Sequence, residues 1–135
     1  MNNIIEIVEN DKNLDILCKT VKASGLETEF KNNGPYTIFA PTDMAFGKIN
    51  SEKLQMLLKP ENKLKLTDLL KNHVIKGKTN LDEMKDGQKF QTLGGKELEV
   101  KIVDGKTIIN GTVIKDNVPA SNGYIHHMDA LFNLS

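Results

Sequence analysis

The sequence predicts an α+β domain, because its apolar residues follow a helical period in the first half of the chain and a strand period in the second. Leu14, Leu17 and Val21 recur along one helical face and are followed by Gly25, a spacing typical of an amphipathic helix with a glycine stop. In the second half, short β-branched segments alternate with turns that contain glycine, as in antiparallel strands. The 135 residues suffice for one hydrophobic core, so we expect a single domain over residues 1–135.

The first predicted strand follows a strong turn signal. Residues 32–35 read Asn-Asn-Gly-Pro, a combination that favours a turn. The residues that follow, 36–40, are β-branched, aromatic or small and predict a buried strand that Pro41 ends. Thr42 or Asp43 can then cap a short helix.

Two leucine-rich stripes predict further helices. We expect Ser51 to cap the first of them, with an inner face of leucines (Leu54, Leu57 and Leu58). The second has apolar residues and one histidine on a single face and stops before Gly77: Leu66, Leu69, Leu70, His73 and Val74.

His73 is the strongest single candidate for a functional side chain. Its place on the apolar face predicts that the imidazole enters the core, where it needs a hydrogen-bond partner. We expect that partner at Thr42 or Asp43. A structural histidine is favoured over a ligand or a proton-transfer residue.

The second half predicts strands joined by tight turns. Leu98, Val100 and Ile102 alternate with charged residues, which indicates a half-buried strand. Asp-Gly at 104–105 and Asn-Gly at 110–111 are dipeptides that favour hairpin turns with positive φ.

Composition argues against several classes of function. The formal net charge is zero, whereas nucleic-acid binding usually needs a basic excess. No apolar run is long enough for a transmembrane helix. The single cysteine, Cys18, predicts no internal disulfide.

No pattern points to catalysis, a metal or a cofactor. His126 and His127 are neighbours on a predicted strand, so their side chains should point to opposite faces and cannot share a metal ion. No serine stands in a Gly-x-Ser-x-Gly elbow. We therefore expect a protein that is not an enzyme and that binds no cofactor or metal.

Three segments together resemble the fasciclin domain family. Residues 37–46 read Thr-Ile-Phe-Ala-Pro-Thr-Asp-Met-Ala-Phe, residues 66–74 end in Asn-His-Val, and residues 122–131 read Asn-Gly-Tyr-Ile-His-His-Met-Asp-Ala-Leu. They occur in the family's order and spacing. The positions matched as structural motif residues are Thr37, Phe39, Pro41, Thr42, Asp43, Phe46, His73, Asn122, Gly123, His126 and Asp129.

The resemblance implies two β-sheets packed as a wedge or sandwich, with helices wrapped around them. It also implies a non-catalytic adhesion module, outside the cell or at its surface, that binds a protein or a glycan. We expect it to act as a monomer. The alternative is an intracellular small-molecule sensor or accessory subunit, which the absence of a secretory signal at residues 1–6 favours.

Two pairs of residues correspond to receptor-binding segments of animal members of the family. These are Asn72-His73, where the family has Tyr-His, and Asn117-Val118, where it has Asp-Ile. The four residues are candidate partner-binding positions. Because the tyrosine and the aspartate are both replaced, integrin binding is not carried over.

Overall fold

The computed structural model describes residues 2–32, 34–48 and 51–130, and it confirms the α+β class. The α-helices of the described residues are α1 (Ile4–Asn10), α2 (Asp15–Ser24), α3 (Glu27–Asn32), α4 (Asp43–Gly47), α5 (Ser51–Leu57) and α6 (Lys63–Lys71). Short 3-10 turns cover Lys12–Leu14, Pro60–Asn62 and Leu81–Glu83. The strands are β1 (Tyr36–Pro41), β2 (Val74–Lys76), β3 (Lys89–Gln91), β4 (Glu97–Val103), β5 (Lys106–Ile109), β6 (Thr112–Ala120) and β7 (Gly123–Met128).

Helix α2 confirms the first helical prediction. Leu17 and Val21 are buried, and Gly25 ends the helix in the left-handed conformation with φ of 80°, which glycine adopts at little cost. Cys18 is half-buried on the same helix.

The prediction for helix α6 is wrong at its C-terminal end. The helix stops at Lys71, with Asn72 as its C-cap, and Val74 begins strand β2. Pairing with β1 determines this boundary, since Val74 lies opposite Ile38 and the amide of Phe39 donates to the carbonyl of His73 at 2.9 Å. Helical periodicity in the sequence gives no indication of this competing strand pairing.

Helix α5 lies further from the core than its leucines predict. Leu54, Leu57 and Leu58 are half-buried and pack against the edge of the helical core. Ser51 is the first residue of the helix rather than its cap. The capping position falls outside the described residues, as do residue 33 of the predicted turn and Leu131 of the third segment.

The strands form one sheet in the order β2-β1-β7-β6-β5-β4-β3, with β1 and β7 parallel and the other neighbours antiparallel. Its two edges meet again, because Ile75 bridges Thr92 and the amide of Leu93 donates to the carbonyl of Val74 at 2.9 Å. The predicted two-sheet wedge is thus one continuous sheet bent almost into a barrel. A bulge in β6, between Lys115 and Val118, is a feature that bends a strand.

Burial on both faces of β1 explains its apolar sequence. Ile38 belongs to a core cluster that the helices share with one face of the sheet, whereas Phe39 belongs to a second cluster made mainly by the strands.

The two predicted hairpin turns with positive φ are confirmed. Asp104 and Asn110 have φ of 51° and 48°, and each is followed by a glycine with positive φ.

Candidate functional site

The ends of the first and third family segments meet beside strand β7. The Thr42 hydroxyl donates to Asp129 at 3.0 Å and accepts from the Ala45 amide at 3.4 Å, which caps α4. The Asp43 carboxylate accepts from the Ile16 amide at 2.9 Å. These side chains therefore join β1, α4, the end of β7 and α2.

We predict that Thr42→Val lowers the free energy of unfolding by about 1 to 2 kcal/mol, because it removes the helix cap and the bond to Asp129 with little change in volume. Thr42→Ser keeps the hydroxyl and should stay close to the wild type. Urea unfolding of the three proteins checks the prediction, and equal stability of the valine and serine variants would contradict it.

The third segment ties the helices to the sheet through Asn122. Its side-chain oxygen accepts from the Ile4 amide at 3.0 Å, and its side-chain nitrogen donates to the Phe30 carbonyl at 2.7 Å. Its own carbonyl accepts from the Tyr36 amide at 2.9 Å. A Cβ on the next residue, Gly123, would overlap the carbonyl oxygen of Tyr36, so only glycine fits this approach.

The remaining motif residues of the first segment are buried. The hydroxyl of Thr37 donates to the Gly77 carbonyl at 2.6 Å and accepts from the Thr79 amide at 2.9 Å. Phe39, Pro41 and Phe46 fill core positions. In this structure, these matched positions serve mainly to hold the fold together.

The ring of His73 does enter the core, with 2% exposure, but its predicted partner is wrong. Nδ1 donates to the Leu69 carbonyl one turn earlier, at 2.8 Å. The Thr42 and Asp43 side chains are engaged by Asp129 and Ile16 instead. Burial lowers the pKa of His73 to about 4, although the bond to Leu69 opposes the shift.

The two adjacent histidines of β7 lie in different environments, as the strand alternation predicts. His126 is fully buried, and its ring nitrogens lie 2.7 Å from the Asp116 carbonyl and 2.8 Å from the Thr79 carbonyl. Burial lowers the pKa of His126, against the effect of these two carbonyls. The ring of His127 lies instead between the carboxylates of Asp11 and Asp116.

Asp116 is the residue that sequence reasoning missed. It sits in the β6 bulge with φ of 66°, a conformation that aspartate and asparagine tolerate better than other non-glycine residues. The only sequence signal is the polar pair Asp116-Asn117 inside a β-branched run. Asp116 contacts both histidines, so it links the bulge to β7.

The two candidate partner-binding pairs lie near the same transverse row of the sheet. Asn72-His73 directly precedes Val74, and Val118 belongs to the other pair. Val74 and Val118 belong to a single transverse row, in which Ile38 and Ile125 occupy the two strands between them. Three strand spacings separate the two ends of the row by roughly 14 Å.

These four candidate residues differ in what they can present to a partner. Asn117 is exposed, Val118 is half-buried, and the ring of His73 is buried. Asn72 is half-buried and accepts from the Thr92 hydroxyl at 3.1 Å. Of these four, only Asn117 is therefore exposed.

Asn117 borders an open groove of about 560 Å³ between β4, β5, β6 and the Leu81–Glu83 turn. We call it the β6 groove. Its lining includes Leu81, Met84, Ile102, Lys106, Val113 and Asn117. Ile102 and Val113 are 37% and 44% exposed. The alternation of apolar and charged residues grouped Ile102 with Leu98 and Val100 on a half-buried strand, but Ile102 is exposed whereas Leu98 and Val100 are buried. The Asn117 side chain accepts from the Leu81 amide at 2.8 Å, which fixes its place on the groove wall.

Two other cavities of the described residues are smaller than the β6 groove. The enclosed core cavity between the helices and β1 holds about 10 Å³, room for about one water molecule. A polar pocket of about 290 Å³ is lined by Asp43, Lys115, Asp116, His127 and Asp129, among others. Within the described ranges, no group of three or more acidic, histidine or cysteine side chains could hold a metal ion.

Comparison with known proteins agrees with the three segments. The model of the fasciclin domain family matches residues 12–133, so this chain belongs to the fasciclin domain family. A domain pair from the insect cell adhesion molecule fasciclin I superimposes with a TM-score of 0.85 at 17% identity, covering 98% of this chain and 51% of that chain. At this identity the likeness shows the fold alone.

Sequence relatives come from bacteria and animals. Protein sll1483 of Synechocystis is 39% identical over 127 residues, covering 93% of this chain and 70% of that protein. Transforming growth factor-beta-induced protein ig-h3 of Sus scrofa is 39% identical over 132 residues, covering 96% of this chain and 19% of that protein. The chain therefore spans only part of each of these relatives.

Proposed function

We propose that this protein is a non-catalytic adhesion module that binds a partner protein through the β6 groove, outside the cell or at its surface. The observation that carries the proposal is the exposure of Ile102 beside Asn117 in the lining of this one groove. A contact surface typically has an apolar centre with a polar rim, and Lys106 and Asn117 supply that rim.

The lining of the groove favours a protein over a glycan. Its lining includes the aliphatic side chains of Leu81 and Ile102 beside the polar Asp82, Thr107 and Lys115, and the aliphatic side chains gain chiefly from burying apolar area. A sugar offers hydroxyl groups, which need a larger set of fixed polar partners when they are desolvated.

Non-catalytic action is supported by the state of the buried histidines. Nδ1 of His73 and both ring nitrogens of His126 face backbone carbonyls. A general base must instead reach the proton of a bound substrate. These rings are therefore better suited to fixing the backbone than to transferring protons.

Location at the cell surface is supported by a sequence relative. The cell surface glycolipoprotein MPB83 of Mycobacterium bovis is 34% identical to this chain over 101 residues, and we extend that location to this chain as a class. An intracellular small-molecule sensor would need an enclosed apolar site, and the core cavity of about 10 Å³ does not provide one. In the described part of the chain, no helix is long and apolar enough to cross a membrane.

We also propose that the module acts as a monomer. Dimers that form by strand pairing need open sheet edges. Here the Ile75–Thr92 bridge brings the two edges of the sheet together.

We predict that beads coated with this chain adhere to intact cells of the species that encodes it, and that Ile102→Asp lowers adhesion at least tenfold. The substitution places a charge on the apolar part of the groove, where desolvating it opposes binding. Because Ile102 is 37% exposed, the fold should tolerate the change. Counting bound beads under flow is the measurement.

Leu64→Asp is the matched control, because Leu64 is an exposed leucine on α6 with 81% exposure and lies outside the groove. It should adhere like the wild type. Protease treatment of the cells should abolish adhesion, whereas glycosidase treatment should not. Absence of adhesion, equal loss in both variants, or loss only after glycosidase treatment would overturn the proposal.

A further inference from the structure

Strands β4, β5 and β6 turn one face toward the second core cluster and the other face away from it. Val100, Ile109 and Ile114 are buried in that cluster. Because side chains alternate along a strand, the intervening residues point to the opposite side of the sheet. We call this side the outer face and define it by six residues: Lys101, Val103, Lys106, Ile108, Val113 and Lys115.

The three apolar residues of the outer face lie next to one another. Ile108 is the cross-strand partner of Val113. Val103 pairs with Lys106, two residues before Ile108, so Val103 and Ile108 are diagonal neighbours. Val103 and Val113 are 50% and 44% exposed, and Ile108 is half-buried. Adjacent exposed apolar side chains, unlike single ones, are a feature of interaction surfaces.

Every charged side chain of the outer face is a lysine. Lys101 and Lys106 each lie directly opposite one of the apolar residues. Lys115 is engaged by Asp129. Among the described residues, Lys101 and Lys106 form no ion pair within 4 Å. Two cations beside the apolar cluster are therefore available to the carboxylates of a partner.

The nearest acidic side chains of β4 lie at the margin of the face. Glu99 is the register partner of Lys89 on β3, and Glu97 lies 3.7 Å from the same lysine. Asp104 lies in the turn between β4 and β5. A partner therefore meets lysines beside the apolar cluster and acids only at its margin.

The outer face is continuous with the β6 groove. Three of its residues, Lys106, Val113 and Lys115, also line the groove, and the other three do not. A protein segment that occupies the groove can therefore continue onto the outer face across β5 and β6.

These features favour one class of occupant. Aliphatic side chains flanked by Asp or Glu complement the face, since apolar area gains on burial and opposite charges across an interface favour association. A second copy that met this face with its own would set lysines against lysines. Membrane-surface segments use long apolar and aromatic side chains, whereas valine and isoleucine on a sheet are short.

We propose that the outer face is a second contact area, which selects a partner protein whose aliphatic side chains are flanked by Asp or Glu. The inference rests on the proposed function for the first contact area, the β6 groove. It adds the chemical class of the partner and a set of residues that the groove does not include.

Adhesion of coated beads to intact cells tests the inference with substitutions outside the groove lining. Lys101→Glu reverses a charge, and Val103→Ser removes apolar surface. Both residues are exposed and absent from the lining, so the fold and the groove should stay intact. Each variant should lower adhesion about tenfold, because each removes one half of the complementarity.

Two matched controls accompany these variants. Lys53→Glu makes the same charge change at an exposed position of α5, and Val103→Ile keeps the apolar surface. Both should adhere like the wild type. The difference between the wild type and Lys101→Glu should shrink at high salt, since salt screens exposed charges, whereas the loss in Val103→Ser should persist. In the cell-bound wild type, Lys101 should be protected from acetylation.

The outcomes separate this inference from the proposed function. If Lys101→Glu and Val103→Ser adhere like their controls while Ile102→Asp does not, the groove stands and the outer face is overturned. Loss in the two outer-face variants with normal adhesion of Ile102→Asp would overturn the groove alone. Absence of wild-type adhesion would overturn both. Binding to vesicles of phosphatidylserine and phosphatidylcholine that Lys101→Glu abolishes would assign the face to a membrane and overturn the protein partner.

Discussion

Gly123→Ala is expected to lower the free energy of unfolding by more than about 3 kcal/mol, at or beyond the upper end of the usual cost of overpacking. The new methyl group would overlap the carbonyl oxygen of Tyr36. Gly123 and Tyr36 are register partners at the start of the parallel β1–β7 pair. Relief of the overlap therefore requires β1 and β7 to separate, which also strains the hydrogen bond from the Tyr36 amide to the Asn122 carbonyl.

The matched control for this change is Gly47→Ala. Gly47 ends α4, a Cβ there would meet no atom within 4 Å, and its φ is not in the left-handed range. Its replacement should be neutral or slightly stabilising, because alanine loses less backbone entropy on folding. Guanidinium unfolding of both variants is the measurement, and equal stabilities of the two variants would show that the close approach of β1 and β7 is not required.

Acidification is expected to destabilise the protein through His73. Burial lowers the pKa of His73 to about 4 from an ordinary value of 6.5, so the folded state binds fewer protons than the unfolded state between these values. Stability is therefore complete above pH 6.5 and falls as the pH drops toward 4. The contribution of this one group amounts to about 2 kcal/mol at pH 5 and approaches about 3 kcal/mol below pH 4.

His73→Gln isolates this contribution, because the amide can still donate toward the Leu69 carbonyl but does not titrate. The variant should be less stable at pH 7.5 but lose about 2 kcal/mol less than the wild type on transfer to pH 5. His126 and the carboxylates titrate in both proteins, so the difference between the two curves reports on His73. Parallel stability curves from pH 7.5 to 4.5 would contradict this account of the buried ring.

Local sequence patterns were sufficient to predict much of the fold. The buried strand at Tyr36 and the Gly25 helix stop depend on neighbouring residues alone, and both are confirmed. The end of α6 was predicted wrongly because Val74 gains ladder bonds to β1, a segment far away in sequence. A helical period cannot report such a partner.

The candidate site was less predictable than the fold. The partner of His73 is the Leu69 carbonyl in the last turn of the preceding helix α6, and side-chain periodicity does not report such a backbone partner. The role of Asp116 depends on a bulge that brings it to both histidines of β7. Alternation placed Ile102 in a half-buried strand, and only the tertiary arrangement shows that its side chain opens onto the β6 groove.

Lysine acetylation of the chain, free and bound to cells, tests the central claim most directly, because all 18 basic residues are lysines spread along the sequence. If the β6 groove is the contact surface, binding should protect Lys106 and Lys115, which line it. Lys53 and Lys65, exposed on the helices, should remain as reactive as in the free chain. Protection of Lys53 and Lys65 with no change at Lys106 and Lys115 would place the contact surface on the helices and contradict the account.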